Sequence, residues 1–188
     1  MLFLETTLRG AFTIDLERRS DSRGFFARAF CQEEFRAHGL NPHIVQANLA
    51  FNVRRGTLRG MHFQYPPAAE SKLVRVTRGA ILDIIVDLRP ESETYLEHVA
   101  VELSADSGRA LYVPERFGHG YQTLADETET SYFVGAFYAP ELEGGLPYDD
   151  EQLGLEWPLP VAELSEKDGA WRPLADVEPE LRARMTFP

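Results

Sequence analysis

The sequence predicts an all-β fold, a sandwich or jelly roll, and three observations carry that prediction. About ten short runs alternate apolar with polar residues or are rich in β-branched and aromatic residues. Glycine, proline and Asp-Ser clusters separate them at roughly 8–12-residue intervals. Helical periodicity is scarce, which leaves two facing sheets as the way to bury the apolar faces.

Taken in order, the runs at 11–16 and 25–30 flank the turn Asp21-Ser22-Arg23-Gly24. Residues 32–38, closed by Gly39, read as two helical turns with a glycine C-cap. Strands at 44–53 and 57–64 are divided by Arg54-Arg55-Gly56, and Tyr65-Pro66-Pro67 ends the second. The runs 72–77 and 81–88 stop at Arg89-Pro90. The runs 98–103 and 109–113 enclose Asp106-Ser107-Gly108, and 121–124 and 131–138 complete the set. From Tyr138 onward the chain holds seven of its twelve prolines, so irregular chain wrapping the barrel is expected there, with a terminal helix at 179–185. With no internal repeat or low-complexity tract, residues 1–188 read as one domain.

Composition excludes several classes. At 44% hydrophobic and 11% aromatic the chain is no disordered tail. Its most apolar stretch, 79–88, is interrupted by Asp83 and Asp87 and falls far short of the roughly 20 residues a membrane span needs. No signal peptide is read at the N-terminus, and a single cysteine, Cys31, is compatible with a reducing compartment, so a cytoplasmic location is expected. The formal net charge is −11, and it is divided unevenly. Residues 1–94 carry 13 Lys+Arg against 11 Asp+Glu, whereas residues 95–188 carry 6 against 19. Such a chain is a poor partner for a polyphosphate backbone, so no nucleic acid is expected. A small anion needs only two or three local cations, and the first half supplies them.

Two clusters could carry chemistry. One is Gly56-Thr-Leu-Arg59-Gly-Met-His62-Phe-Gln64; the other runs from Gly108 through Pro114 and Arg116 to His119. Together they resemble the paired motifs of the cupin jelly rolls, whose first motif carries two histidines and a glutamate. Here Gln64 replaces the second histidine, leaving His62, Glu70 and His119, so no intact metal site is expected. What remains is a barrel with a histidine, nearby cations and tyrosines such as Tyr132 and Tyr138, read as sharing one strand face. A histidine base and a tyrosine acid on opposite walls suit proton transfer at a carbon next to a carbonyl, with a cation stabilising the enolate oxygen. Strict alternation puts Arg59 and His62 on opposite faces, so both can line one pocket only if Gly60 bends the strand or a bulge intervenes.

Eight segments in order, from about residue 9 to 173, then resemble the nucleotide-sugar 3,5-epimerases typified by dTDP-4-dehydrorhamnose 3,5-epimerase. Among them are Asp21-Ser-Arg-Gly-Phe-Phe26, Val45-Gln-Ala-Asn48, the His62 cluster, Lys72-Leu-Val-Arg-Val, the His119 cluster and Leu164-Ser-Glu-Lys-Asp168. The resemblance implies a cupin-type jelly roll that uses no metal or organic cofactor. It makes His62 the base, paired with Asp168, and Tyr132 the opposing acid. Lys72 and Arg59 would hold the C4 oxygen and His119 the sugar. Arg23, Gln46 and Asn48 would contact the nucleotide, with Tyr138 near its base and Glu143 at the same end. It also implies a homodimer exchanging N-terminal strands, with 1–55 serving exchange, 56–138 forming the core and 139–188 the wrap.

Three departures fall on recognition residues and not on this catalytic set. Arg28 stands where the family usually has a glutamate. Phe133-Val-Gly135 follows Tyr132 in place of Lys-x-Thr, and Gln46-Ala-Asn48-Leu-Ala50 replaces a more polar segment. The reading is therefore an isomerase inverting C3, C5 or both in a nucleotide-linked 4-keto-6-deoxyhexose. Left open are a single-carbon epimerase, a GDP or CDP sugar as substrate, a catalytically silent sugar-nucleotide binder, and a metal-dependent oxygenase, which Gln64 disfavours.

Overall fold

The structure, a computed structural model, describes residues 1–187. Its architecture is the predicted all-β one, two antiparallel sheets packed face to face. Strands β1 (Leu2–Glu5), β2 (Phe12–Asp15), β5 (Gln46–Asn52), β7 (Lys72–Arg78), β10 (Ala110–Val113) and β12 (Thr128–Val134) build a six-stranded sheet in the order β1-β2-β10-β7-β12-β5. Strands β6 (Leu58–Gln64), β8 (Ala80–Asp87), β9 (His98–Ser104), β11 (Phe117–Thr123) and β13 (Glu143–Gly145) form the other, ordered β13-β6-β11-β8-β9. A separate hairpin of β3 (Arg19–Asp21) and β4 (Gly24–Phe26) is exposed along its whole length.

Apolar side chains from both sheets meet in a shared core that includes Val74, Val76, Ile81, Ile85, Leu111 and Phe117. Helix α1 (Gln32–Ala37) inserts Phe35 against Ile14 and Tyr112, and its chain reverses at Gly39, whose φ of +71° favours glycine. Helix α2 (Leu174–Arg184) covers the five-stranded sheet through Leu174 and Leu181. It begins five residues before the predicted start. Proline suits the first turn of a helix, which is why sequence favoured Pro179 as the beginning, but the buried anchor Leu174 draws the earlier residues into the same helix.

Other differences from the sequence reading have local causes. The run at 25–30 leaves the sheet after Phe26, since β4 pairs only with β3. β11 begins at Phe117, four residues early, because Phe117, Gly118 and Gly120 are buried against β8 despite their weak strand propensity. β12 ends at Val134, where Gly135 donates to the carbonyl of Ser71 and turns the chain away. Tyr138 is therefore not on the strand that carries Tyr132. β13 is unreadable as Glu-Gly-Gly, yet its glycines are required: a Cβ on Gly144 would lie 2.2 Å from the Phe63 ring, and one on Gly145 2.2 Å from Trp171.

The feature that matters most for the site is a register shift between β11 and β6. His119 pairs with His62 and Tyr121 with Arg59, so two steps on β11 face three on β6. Gly60 absorbs the extra residue with φ +122°, and a Cβ there would sit 2.5 Å from Gly120 Cα. This is the bulge that the parity conflict between Arg59 and His62 called for.

Candidate active site

Between the sheets lies a cavity of about 630 Å³. The five-stranded sheet contributes Arg59 and His62 from β6 and His119 and Tyr121 from β11. Facing them, the six-stranded sheet supplies Gln46 and Asn48 from β5, Lys72 from β7 and Tyr132 from β12. Tyr138 and Glu143 line it as well. His62 and Tyr132 thus stand on opposite sheets across one space, and eight residues proposed from sequence join them around it or behind it.

The geometry of each side chain has a visible cause. His62, one-third exposed, places Nε2 2.6 Å from Asp168 Oδ1. Asp168 is only 4% exposed and does not line the cavity; it stands behind the imidazole at the start of a 3-10 turn, Asp168–Ala170. Burial would push its carboxyl up, but the His62 hydrogen bond and charge, with further donors from Gly60 N–H and Ser165, bring it below the ordinary value. Nε2 being engaged, Nδ1 is the ring nitrogen left to the cavity. The edge of Trp171 packs against the same imidazole, with ring centroids 6.3 Å apart.

Arg59 donates from Nε to Asn52 Oδ1 at 2.7 Å, and the Asn52 amide in turn reaches the Tyr121 hydroxyl at 3.3 Å. A second histidine–carboxylate pair, His119 Nε2 to buried Asp83 Oδ1 at 2.6 Å, stands beside the first. Lys72 is buried against Glu70, 2.9 Å away. Burial raises the Tyr132 hydroxyl above its ordinary value, helped by Tyr121 and Glu70 and opposed by Arg59, so it holds its proton through the neutral range. At the far end, Tyr138 donates to Glu143 at 2.9 Å, and its backbone N–H reaches Gln46 Oε1 at 2.9 Å. Glu143 would be raised by burial, yet hydrogen bonds from Lys167 and Tyr138 and the charge of His62 hold it low.

Two predicted residues lie outside this cavity. Arg23 tips the exposed hairpin, 88% exposed and paired with Asp21, while Arg28 is paired with Glu34. Four residues of the site escaped the sequence reading. Asn52 continues the parity of Gln46 and Asn48, Tyr121 that of His119, and Asp83 interrupts an apolar strand; each was a usable signal. Trp171 gave none. Gln64 holds no place as a ligand: its amide is spent on the carbonyls of Ala68 and Phe137, the Glu70 carboxylate and the Ala139 N–H.

Residues 5–176 match the family model described as dTDP-4-dehydrorhamnose 3,5-epimerase. An enzyme of that name from Methanothermobacter thermautotrophicus is 42% identical over 177 residues, spanning 93% of this chain and 95% of the relative. The chain belongs to the dTDP-4-dehydrorhamnose 3,5-epimerase family. The likeness extends to solved structures of epimerases with this jelly roll. A dTDP-6-deoxy-D-glucose-3,5-epimerase from Legionella pneumophila, in complex with dTDP-4-keto-L-rhamnose, superposes with TM-score 0.89 at 32% identity, covering 96% of each chain. A 3'-monoepimerase from Streptomyces bikiniensis, in complex with dTDP-quinovose, gives 0.85 at 29% identity, over 96% of this chain and 98% of its own. No helix among the described residues is long and apolar enough to cross a membrane.

The lowered Asp168 carboxyl yields a signed prediction. Its stabilising contribution is complete above the unfolded carboxylate value, about 4, and is lost as pH falls through the lower folded value. Asp168→Asn lacks that contribution at every pH. Urea midpoints of wild type and variant should differ near neutrality and converge in acid; a gap that stays constant would contradict the assignment.

Proposed function

We propose that this chain is a cofactor-independent isomerase that inverts C3 and C5 of dTDP-4-keto-6-deoxyglucose by proton abstraction through enolates. The observation that carries this reading is the placement of His62 and Tyr132 on opposite walls of one cavity that Arg59 and Lys72 also line, one from each sheet. Inversion requires a proton to leave one face of a carbon and return to the other. His62 accepts it at Nδ1, and Asp168 stabilises the imidazolium that forms. Charge then develops on the C4 oxygen, which Lys72 and Arg59, both lining the cavity, stabilise. Tyr132, protonated at working pH, returns a proton from the opposite side. His119, fixed by Asp83, binds the sugar. Gln46, Asn48, Tyr138 and Glu143 hold the nucleotide end.

The same reading takes residues 1–188 as one domain acting in a homodimer that exchanges N-terminal strands. Three features support it: the unpartnered β3–β4 hairpin with exposed Phe25 and Phe26, the exposed Leu49 and Phe51 on edge strand β5 with exposed Val53 just beyond it, and the position of Arg23 and Arg28 away from the chain's own cavity. Both arginines would then serve the partner's site. Light scattering should return twice the 21.3 kDa chain mass at micromolar concentration, and a monomer would sink the exchange.

Proton NMR in D₂O with dTDP-4-keto-6-deoxyglucose tests the reaction. The signals of the C3 and C5 protons should both vanish, and His62→Ala should slow this by about two to four decades. Loss of one signal alone would make the chain a single-carbon epimerase, as its S. bikiniensis neighbour is named. No exchange with this substrate, followed by exchange with a GDP or CDP sugar, would move the base preference and direct attention to Arg28. Silence with all three would leave a binding protein.

A further inference from the structure

We propose that Glu70, clamped by Gln64, is a positioning residue of this reaction: it fixes the Lys72 ammonium in the cavity wall. The inference rests on the epimerase reading and deepens it. Sequence placed Gln64 and Glu70 where a cupin would hold ligands, and the proposed mechanism leaves both without a task.

Their contacts give them one. The Glu70 side chain is 13% exposed, and its two oxygens have separate partners. One lies 2.9 Å from Lys72 Nζ, and the other accepts from Gln64 Nε2 at 3.3 Å. Gln64 is itself immobilised, donating one N–H to Ala68 O at 2.9 Å, sharing the other between Glu70 and Phe137 O at 3.2 Å, and accepting from Ala139 N–H at 2.6 Å. A lysine ammonium is a point charge on a flexible four-carbon stem, so its direction must be imposed from outside. It is also costly to bury without a counterion, and Lys72 is 8% exposed. Glu70 meets both needs, and the clamp decides where the ammonium stands before substrate arrives. Stabilisation of a developing enolate depends on that preorganisation.

Glu70 acts on the acid as well. Tyr132 faces Arg59 and His62 from β6, His119 and Tyr121 from β11, and Lys72 from its own sheet; Glu70, Tyr138 and Glu143 complete the titratable lining. Burial is the chief reason the Tyr132 hydroxyl is raised, and the Glu70 charge adds to it. Glu70→Gln keeps the shape and an acceptor for Lys72 but removes that charge, so Tyr132 should lose its proton at lower pH.

Kinetics of wild type, Glu70→Gln and Glu70→Asp with dTDP-4-keto-6-deoxyglucose test this. Glu70→Gln should lower kcat by on the order of tenfold or more with little change in KM. The alkaline limb of its kcat profile should move to lower pH, its thermal midpoint should fall because the buried Lys72 ammonium loses its counterion, with kcat read well below that midpoint, and Glu70→Asp should restore both. An unchanged kcat, a rise in KM alone, or a loss of activity that follows the thermal midpoint with the limb in place would each overturn the proposal. A wild type that exchanges neither proton would overturn the epimerase reading together with it, whereas an active wild type with an unaffected Glu70→Gln would overturn only the role of Glu70.

Discussion

The site depends on one hydrogen bond, 2.6 Å long, between His62 on β6 and Asp168 in the C-terminal wrap. It joins residues 106 positions apart and makes the proline-rich tail part of the cavity's architecture. It also assigns the imidazole its orientation, since the engaged Nε2 leaves Nδ1 free. The register shift at Gly60 is its precondition. Without the extra residue in β6, Arg59 and His62 would point to opposite faces and could not line one cavity.

Charge is handled locally in this acidic chain. Around the cavity each carboxylate is committed to a partner: Asp168 to His62, Asp83 to His119, Glu70 to Lys72 and Glu143 to Lys167. Paired in this way, the acids orient cations and imidazoles without filling the cavity with unbalanced negative charge. A net charge of −11 is therefore compatible with a pocket for an anionic nucleotide sugar, because the acids at the cavity are paired and Arg59 and Lys72 line it.

Much of this was legible beforehand, and the reasons differ by residue. Period-two alternation revealed strands with one exposed face, such as β5 and β9, whereas β8, β10 and β11 are buried on both faces and show as short apolar, β-branched or glycine-rich runs. His62 stood out among glycines and arginines, and the conflict between its parity and that of Arg59 announced the bulge. Asp168 entered only through the family resemblance, because tertiary pairing over such a separation leaves no local trace. Tyr138 was assigned to the wrong element: the aromatic run continues past Val134, while the strand stops where Gly135 bonds Ser71. β13 and Trp171 were hidden for a related reason, since Glu-Gly-Gly has low strand propensity and only the close approach of Phe63 and Trp171 explains its glycines.

In the proposed reaction, proton removal and proton return occur on opposite walls by different residues. Tyr132→Phe in D₂O tests it most directly, by following deuterium entry and product configuration in the same sample. Exchange at the carbon should persist, because His62 still removes and returns the proton on its own face, while inversion stops. Loss of both together, or inversion at an undiminished rate, would contradict it.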